Sequence, residues 1–130
     1  MTIIEKFVPL DIKSGNRLGG SHWTKYNYRN QVFKYMPLFF HDHDKPKSVE
    51  KVRAKVSMIR VMKKGQKKLD IDNLAWGTKP IFDFLQKNKW LYNDSPKWID
   101  REYNQVRAID CGMKENNLGI VVKIEYEKEV

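Results

Sequence analysis

Three aspartates and a lysine in the middle of this sequence have the residue types needed for metal-assisted chemistry on a phosphate. Asp70 and Asp72 are separated by one residue, Lys79 follows seven residues later, and Asp94 comes after a further stretch of chain. Crowded carboxylates repel one another, and a divalent cation bound between them relieves that repulsion. Oxygen ligands without a Cys or His set favour Mg²⁺ or Mn²⁺ over Zn²⁺, with phosphate oxygens and water completing the coordination shell. Such an ion can activate a water and polarise a phosphoryl group.

The spacing of Asp70 and Asp72 permits two interpretations. In an extended segment, side chains two residues apart leave the same face of the backbone, so both carboxylates could converge on one ion. Asp94 would then be brought to them by the fold. Alternatively, one of the pair simply caps the helix that follows, which is a common use of Asp. These residues alone leave both interpretations open.

Charge favours a nucleic-acid partner. The chain has 25 Lys and Arg against 16 Asp and Glu, a formal net charge of +9. Basic residues attract a polyanion irrespective of its sequence, and a concentrated acidic cluster within such a chain suits the attack of a phosphate at a metal. An unspecialised basic protein is the alternative. A membrane surface is not expected as a partner, because the sequence shows no long basic amphipathic helix with an extended apolar face.

A basic segment, residues 63–68, immediately precedes the acidic pair. Its position predicts a clamp for a phosphate backbone, whereas the alternative is a solvent-exposed turn. Further contacts with phosphates are expected from a helix and from the glycine-containing segment before it. The predicted DNA-contacting residues are Lys63, Lys64, Lys67, Lys68, Arg17, Lys25 and Arg29.

Length and composition predict one folded domain. The chain has 130 residues, of which 41% are hydrophobic, enough for a single core. Its four Trp, six Tyr and six Phe are too many for a disordered chain. The single Cys111 forms no internal disulfide and fits a reducing compartment. Because the sequence shows neither a charged leader with an apolar run nor a long apolar stretch, we expect a cytoplasmic protein.

Hydrophobic patterning then predicts the elements that position the acidic residues. Thr78 and Pro80 resemble the start of a helix, with Thr as the cap and Pro in the first turn. On that helix Lys79 and Asp83 share a side. Another helix is predicted over residues 21–40, interrupted or ended by Pro37. Strands are predicted over residues 3–10, 52–61, 98–108 and 120–126.

The acidic residues together resemble one enzyme family. The run Asp70-x-Asp72-Asn73-Leu74, Lys79 with Asp83 four residues later, and Asp94-Ser95 shortly before Trp98-Ile99 are similar to the RusA family of Holliday-junction resolvases, small homodimeric endonucleases of bacteria and their prophages. The resemblance is close over about the central third of the chain. In the family the lysine lies four residues beyond the second aspartate, a position that Trp76 occupies here, so residues 74–78 are expected to contain a short insertion.

The resemblance implies both a fold and an activity. The fold is an α+β, single compact domain with a mixed sheet of about four strands packed with two or three helices, assembled as a homodimer. The activity is Mg²⁺-dependent cutting of four-way DNA junctions, with Mn²⁺ a possible substitute and with 5′-phosphate ends. Asp70, Asp72 and Asp94 would be metal ligands and Lys79 the assisting cation. The alternatives are a nuclease for other branched or single-stranded DNA and a non-catalytic nucleic-acid-binding protein of phage replication.

Overall fold

Four strands form one mixed β-sheet in the computed structural model, which describes residues 2–14 and 22–128. The strand order is β1-β4-β2-β3, with β2 and β3 parallel and both other pairs antiparallel. The sequence prediction of a single α+β domain with a four-stranded mixed sheet is thereby confirmed. The strands are β1 (Ile3–Val8), β2 (Ala54–Met62), β3 (Ile99–Arg107) and β4 (Gly119–Tyr126).

Alternation along the strands decides which face of the sheet carries the core. In β4, Val122 and Ile124 are fully buried, whereas Lys123 between them is only half-buried. In β2, Val56 and Met58 lie opposite Ile124 and Val122 and are fully buried with them. Because side chains on a strand alternate between faces, these residues share one apolar side of the sheet.

Two α-helices connect and cover this apolar side: α1 (His22–Tyr35) and α2 (Ile71–Lys87). α1 ends five residues before the predicted end at Phe40, and a 3₁₀ turn that contains Pro37 follows it. α2 is the crossover between the parallel strands β2 and β3, the usual use of a helix in such a connection. Neither helix of this described part of the chain is long and apolar enough to cross a membrane.

The predicted start of the second helix at Thr78 is wrong. α2 begins at Ile71, and Pro80 lies inside it. The Thr78 hydroxyl donates to the carbonyl of Ala75 within the helix, at 3.1 Å, instead of capping it. The reason is the buried stripe of Leu74, Ile81 and Leu85, because packing of an amphipathic face outweighs the hydrogen bond that an interior proline removes.

A close contact at Gly77 fixes α2 against the segment after β1. The Tyr28 hydroxyl of α1 donates to the Gly77 carbonyl at 2.5 Å and accepts from the backbone N–H of Lys13 at 3.4 Å. A Cβ on Gly77 would lie 2.2 Å from the Lys13 carbonyl oxygen and 2.6 Å from Cγ2 of Ile12. Only glycine therefore permits this approach, which sets where α2 lies relative to α1.

Candidate active-site cleft

One side of α2 forms the wall of an open cleft of about 560 Å³, called here the carboxylate cleft. Helical residues three and four apart share a side, which places Asp72, Trp76, Lys79 and Asp83 in one row. The loop after α2 contributes Asp94, and the edge strand β3 contributes the opposite wall. The lining residues are Asp72, Ala75, Trp76, Lys79, Phe82, Asp83, Asp94, Arg101 and Tyr103.

Asp94 is held at the C-terminal end of this row. With its amide nitrogen turned toward the carboxylate, Gln86 donates to both Asp94 oxygens, at 3.2 and 3.3 Å. The Arg101 guanidinium donates to the Asp94 backbone carbonyl and lies 4.7 Å from the centre of the Phe82 ring. These contacts fix a loop carboxylate against the last turns of α2. Asp72, Lys79 and Asp94 all line this cleft.

Asp72 lies at the opposite end of the cleft from Asp94. Gln86, which contacts Asp94, follows Asp72 by fourteen positions on α2. That separation corresponds to about 21 Å along a helix axis, so even side chains that reach toward each other leave the Asp72 and Asp94 carboxylates on the order of 10 Å apart. One ion cannot bind both carboxylates directly at that distance.

Asp70 does not line the cleft. It occupies the N-cap position of α2, although its carboxylate accepts no hydrogen bond from the described first turn, and Asp72 lies within that turn. Of the two interpretations, the extended arrangement with both carboxylates on one face is therefore wrong, because the helix begins one residue after Asp70. Within residues 2–14 and 22–128, no three Asp, Glu, His or Cys side chains lie close enough together to hold a metal ion.

Lys79 lies between the two acidic ends of the cleft. It is exposed and shares a side of α2 with Asp83, as predicted. Asp83 forms an ion pair with Arg29 of α1, with 3.9 Å between the arginine Nε and the carboxylate. Lys79 therefore remains available to a ligand that enters the cleft.

Two predicted DNA-contacting residues of α1 lie along the same wall. The Lys25 ammonium group is 4.5 Å from the centre of the Trp76 ring, and Arg29 lies near Asp83. Their contacts with residues that line the cleft place both cations at its α1 side. Both cations would attract a ligand with negative charge to this side of the cleft.

The basic segment, residues 63–68, joins β2 to α2. Two arginines of the sheet bind its backbone. Arg60 of β2 donates to the Lys67 carbonyl at 3.0 Å, and Arg107 of β3 donates to the Gln66 carbonyl at 3.1 Å. Gln105 anchors its end by exchanging two hydrogen bonds with the backbone of Leu69, at 2.9 and 2.8 Å. The four lysines are all exposed: Lys63, Lys64, Lys67 and Lys68.

The basic segment reaches the cleft at the end where Asp72 lies. Lys68 and Tyr103 line one shallow pocket, and Tyr103 also lines the carboxylate cleft. Lys64 is partly engaged, with its ammonium group 3.9 Å from Glu115. Arg17, the remaining predicted contact, lies outside the described residues.

Sequence reasoning missed several residues that line the cleft, among them Trp76, Arg101 and Tyr103. Trp76 keeps 46% of its surface exposed, which is unusual for so large an apolar side chain. Arg101 and Tyr103 alternate along β3 on the same face as buried Ile99. That alternation was the available signal, but it identifies a site only once β3 is known to lie beside α2.

The described residues of the cleft could hold Mg²⁺ through one carboxylate at a time. They do not bring three carboxylates together around one ion, but they place separate carboxylates in an open cleft. Mg²⁺ commonly keeps several waters and takes one or two carboxylates, with substrate phosphates supplying the remaining ligands. Asp72 or Asp94 could serve in such a shell.

Comparison with known proteins gives no further assignment. No family model matches this chain, and no curated protein is similar to it in sequence.

Proposed function

We propose that this chain is a structure-selective endodeoxyribonuclease of the RusA type, which resolves four-way DNA junctions with Mg²⁺, or with Mn²⁺ in its place. The observation that carries the proposal is the carboxylate cleft, in which Asp72, Lys79 and Asp94 share one open space. Cations lie on its α1 side, and a lysine-bearing segment lies near one end. Acidic groups surrounded by cations suit a phosphate that is both attracted and attacked.

Asp72 and Asp94 are the residues that would hold Mg²⁺, each on a separate ion together with phosphate oxygens and water, because one ion cannot bind both carboxylates directly. When bound, the ion would supply an activated water and shield the negative charge that develops on the phosphate. Asp70, the third predicted ligand, would take part only if the first turn of α2 rearranged when DNA binds. The Asp70→Asn variant therefore tests whether Asp70 binds the metal or only occupies the end of the helix.

The chain's own cations would bind and orient the DNA. Lys79 would contact the non-bridging oxygens of the phosphate between the two carboxylates, where a fixed positive charge stabilises charge that develops during hydrolysis. Lys25 and Arg29 would contact the backbone on the α1 side. The exposed lysines of the basic segment, Lys63, Lys64, Lys67 and Lys68, would hold one arm beyond the end where Asp72 lies.

We further propose a homodimer. Resolution of a junction into two nicked duplexes needs incisions in two opposing strands, and each subunit contributes one cleft. Two clefts related by a two-fold axis would match the symmetry of the substrate.

The test compares Asp72→Asn, Asp94→Asn and Asp70→Asn with the parent chain on a four-way junction. We expect the first two variants to lose cleavage and to bind the junction at least as tightly as the parent, because each removes a negative charge that faces phosphate. Asp110→Asn is the matched control: it makes the same charge change on the exposed 3₁₀ helix Ala108–Cys111, and it does not line the cleft. It should cut like the parent.

Substrate choice separates the alternatives. Forks, flaps and single strands cut faster than junctions would favour a nuclease for other branched DNA. Binding to all of them without Mg²⁺-dependent cutting of any would favour a non-catalytic nucleic-acid-binding protein.

A further inference from the structure

A second pocket, called here the lysine pocket, lies beside the loop that carries Asp94. It encloses about 500 Å³ between the segment of residues 45–50, Lys89 at the end of α2, and Tyr92. Tyr92 precedes Asp94 by two residues, so the backbones of these two residues lie within about 7 Å of each other. The Tyr92 ring packs edge-on against Trp98, with 4.8 Å between ring centres, which fixes this wall.

The lysine pocket is electropositive. Three lysines and one glutamate, Glu50, line it. Lys45 is partly engaged, since its ammonium group donates to the Asn88 carbonyl at 3.1 Å and lies 3.6 Å from Asp42. Lys47 and Lys89 are exposed, and neither forms an ion pair with a carboxylate of the described residues.

Lys89 occupies a backbone position that favours glycine. Its φ is +65°, in the left-handed region, where the helix ends with the N–H of Lys89 bonded to the Gln86 carbonyl and that of Trp90 bonded to the Leu85 carbonyl. Glycine is the usual residue there, because a Cβ is strained at positive φ. Replacement by glycine therefore removes the charge of Lys89 and relieves this strain at the same time.

We propose that the lysine pocket binds the phosphodiester backbone of a duplex DNA arm that leaves the carboxylate cleft past Asp94. This inference rests on the proposed function and adds a second contact surface to it. Lys47 and Lys89 form no ion pair with a carboxylate of the described residues, and the exposed Ser48 lines the same pocket with a hydroxyl that can donate a hydrogen bond. The basic segment lies toward the other end of the cleft, so the two basic surfaces would hold DNA on both sides of the cut.

The chain contains a matched control for this proposal. Lys51 is the other lysine with a positive φ, +54°; it is exposed, and it does not line the pocket. Lys89→Gly and Lys51→Gly therefore remove the same charge and relieve the same kind of backbone strain. Both variants should keep or raise the thermal midpoint.

Binding of a labelled four-way junction is then measured across salt concentrations, without divalent ions so that no cutting occurs. We expect Lys89→Gly to bind roughly three- to tenfold more weakly at low salt, with the slope of log K against log salt reduced by about 0.9, the loss of one phosphate contact. Lys47→Gln should act in the same way, whereas Lys51→Gly should bind like the parent. Equal binding by Lys89→Gly, Lys47→Gln and Lys51→Gly would overturn the proposal.

Inorganic phosphate distinguishes the source of the anion. If the parent chain binds phosphate itself and Lys89→Gly abolishes that binding without changing DNA affinity, the pocket is a small-anion site and the DNA proposal fails. Failure of the nuclease proposal is separate. If the parent chain cuts no DNA but Lys89→Gly weakens junction binding, the pocket proposal stands and the nuclease proposal fails. If the parent chain cuts junctions but Lys89→Gly, Lys47→Gln and Lys51→Gly all bind alike, the nuclease proposal stands and the pocket proposal fails.

Discussion

Gly77→Ala should destabilise this protein, although the same change inside an ordinary helix stabilises it. Glycine within a helix costs about 1 kcal/mol relative to alanine, so the intrinsic preference favours the variant. Here, however, the new methyl carbon would lie 2.2 Å from the backbone oxygen of Lys13. Contacts under 3.0 Å are essentially never seen for a Cβ atom, so the backbone has to move by at least 0.8 Å.

The loss of stability in Gly77→Ala can be estimated from the contacts that this backbone shift disturbs. Lys13 and Gly77 are both bonded to the buried Tyr28 hydroxyl, so their separation stretches a hydrogen bond as well as a packed contact. Overpacking costs about 1–3 kcal/mol, and the weakened buried hydrogen bond adds about 1 kcal/mol. After the helix-propensity gain of about 1 kcal/mol is subtracted, we expect a net loss of about 1–3 kcal/mol in the free energy of unfolding.

Urea unfolding followed by circular dichroism measures this difference directly. Asn27→Ala is the control, because Asn27 is exposed within α1 and the change tests helix preference without a close contact. The control should be neutral or stabilised by a few tenths of a kcal/mol. If Gly77→Ala were as stable as the parent or more so, the described approach of Lys13 to α2 would be incorrect.

Two further predictions concern the placement of Asp44 and Asp94. The hydrogen bond from Lys6, at 3.0 Å, lowers the pKa of the Asp44 carboxyl, so its contribution to stability is present at neutral pH and is lost as the pH falls through that lowered value. Lys6→Gln should return the pKa of Asp44 toward its ordinary value, read by NMR titration, and should flatten this acid limb of the stability curve; an unchanged titration would contradict the contact. Gln86→Leu should free the Asp94 carboxylate and lower junction cleavage several-fold with little loss of stability, whereas unchanged cleavage would show that Gln86 does not position Asp94.

The sheet could be predicted from sequence because its alternation is local. Each strand was expected within two residues of its observed bounds, since Val122 and Ile124 alternate with charged neighbours whatever the strands pair with. The parallel pairing of β2 and β3 carries no such local signal. It depends on α2 crossing over the apolar face.

The start of α2 could not be predicted because two principles conflict there. Thr78 and Pro80 are typical of a helix start, but the buried stripe that runs from Leu74 to Leu85 continues the helix through them. The early start of α2 also bears on the two interpretations of Asp70 and Asp72. Residues that share a face in an extended chain are turned apart once a helix includes the second of them.

Of the predicted site residues, Asp72, Lys79 and Asp94 line one cleft and Asp70 does not. The spacing indicated that the four belong together. It could not indicate their separation, because that depends on α2 placing Asp72 and Gln86 at opposite ends of the row. The sequence could not predict that Arg101 and Tyr103 line the cleft, because their place there depends on β3 being the edge strand beside the helix.

The decisive measurement for the proposed nuclease is cleavage of a labelled four-way junction by the parent chain, with Mg²⁺ and with a chelator. We expect Mg²⁺-dependent paired incisions in opposing strands that leave 5′-phosphate ends. A pure, folded chain that binds the junction tightly and leaves both strands intact at every Mg²⁺ and Mn²⁺ concentration would contradict it.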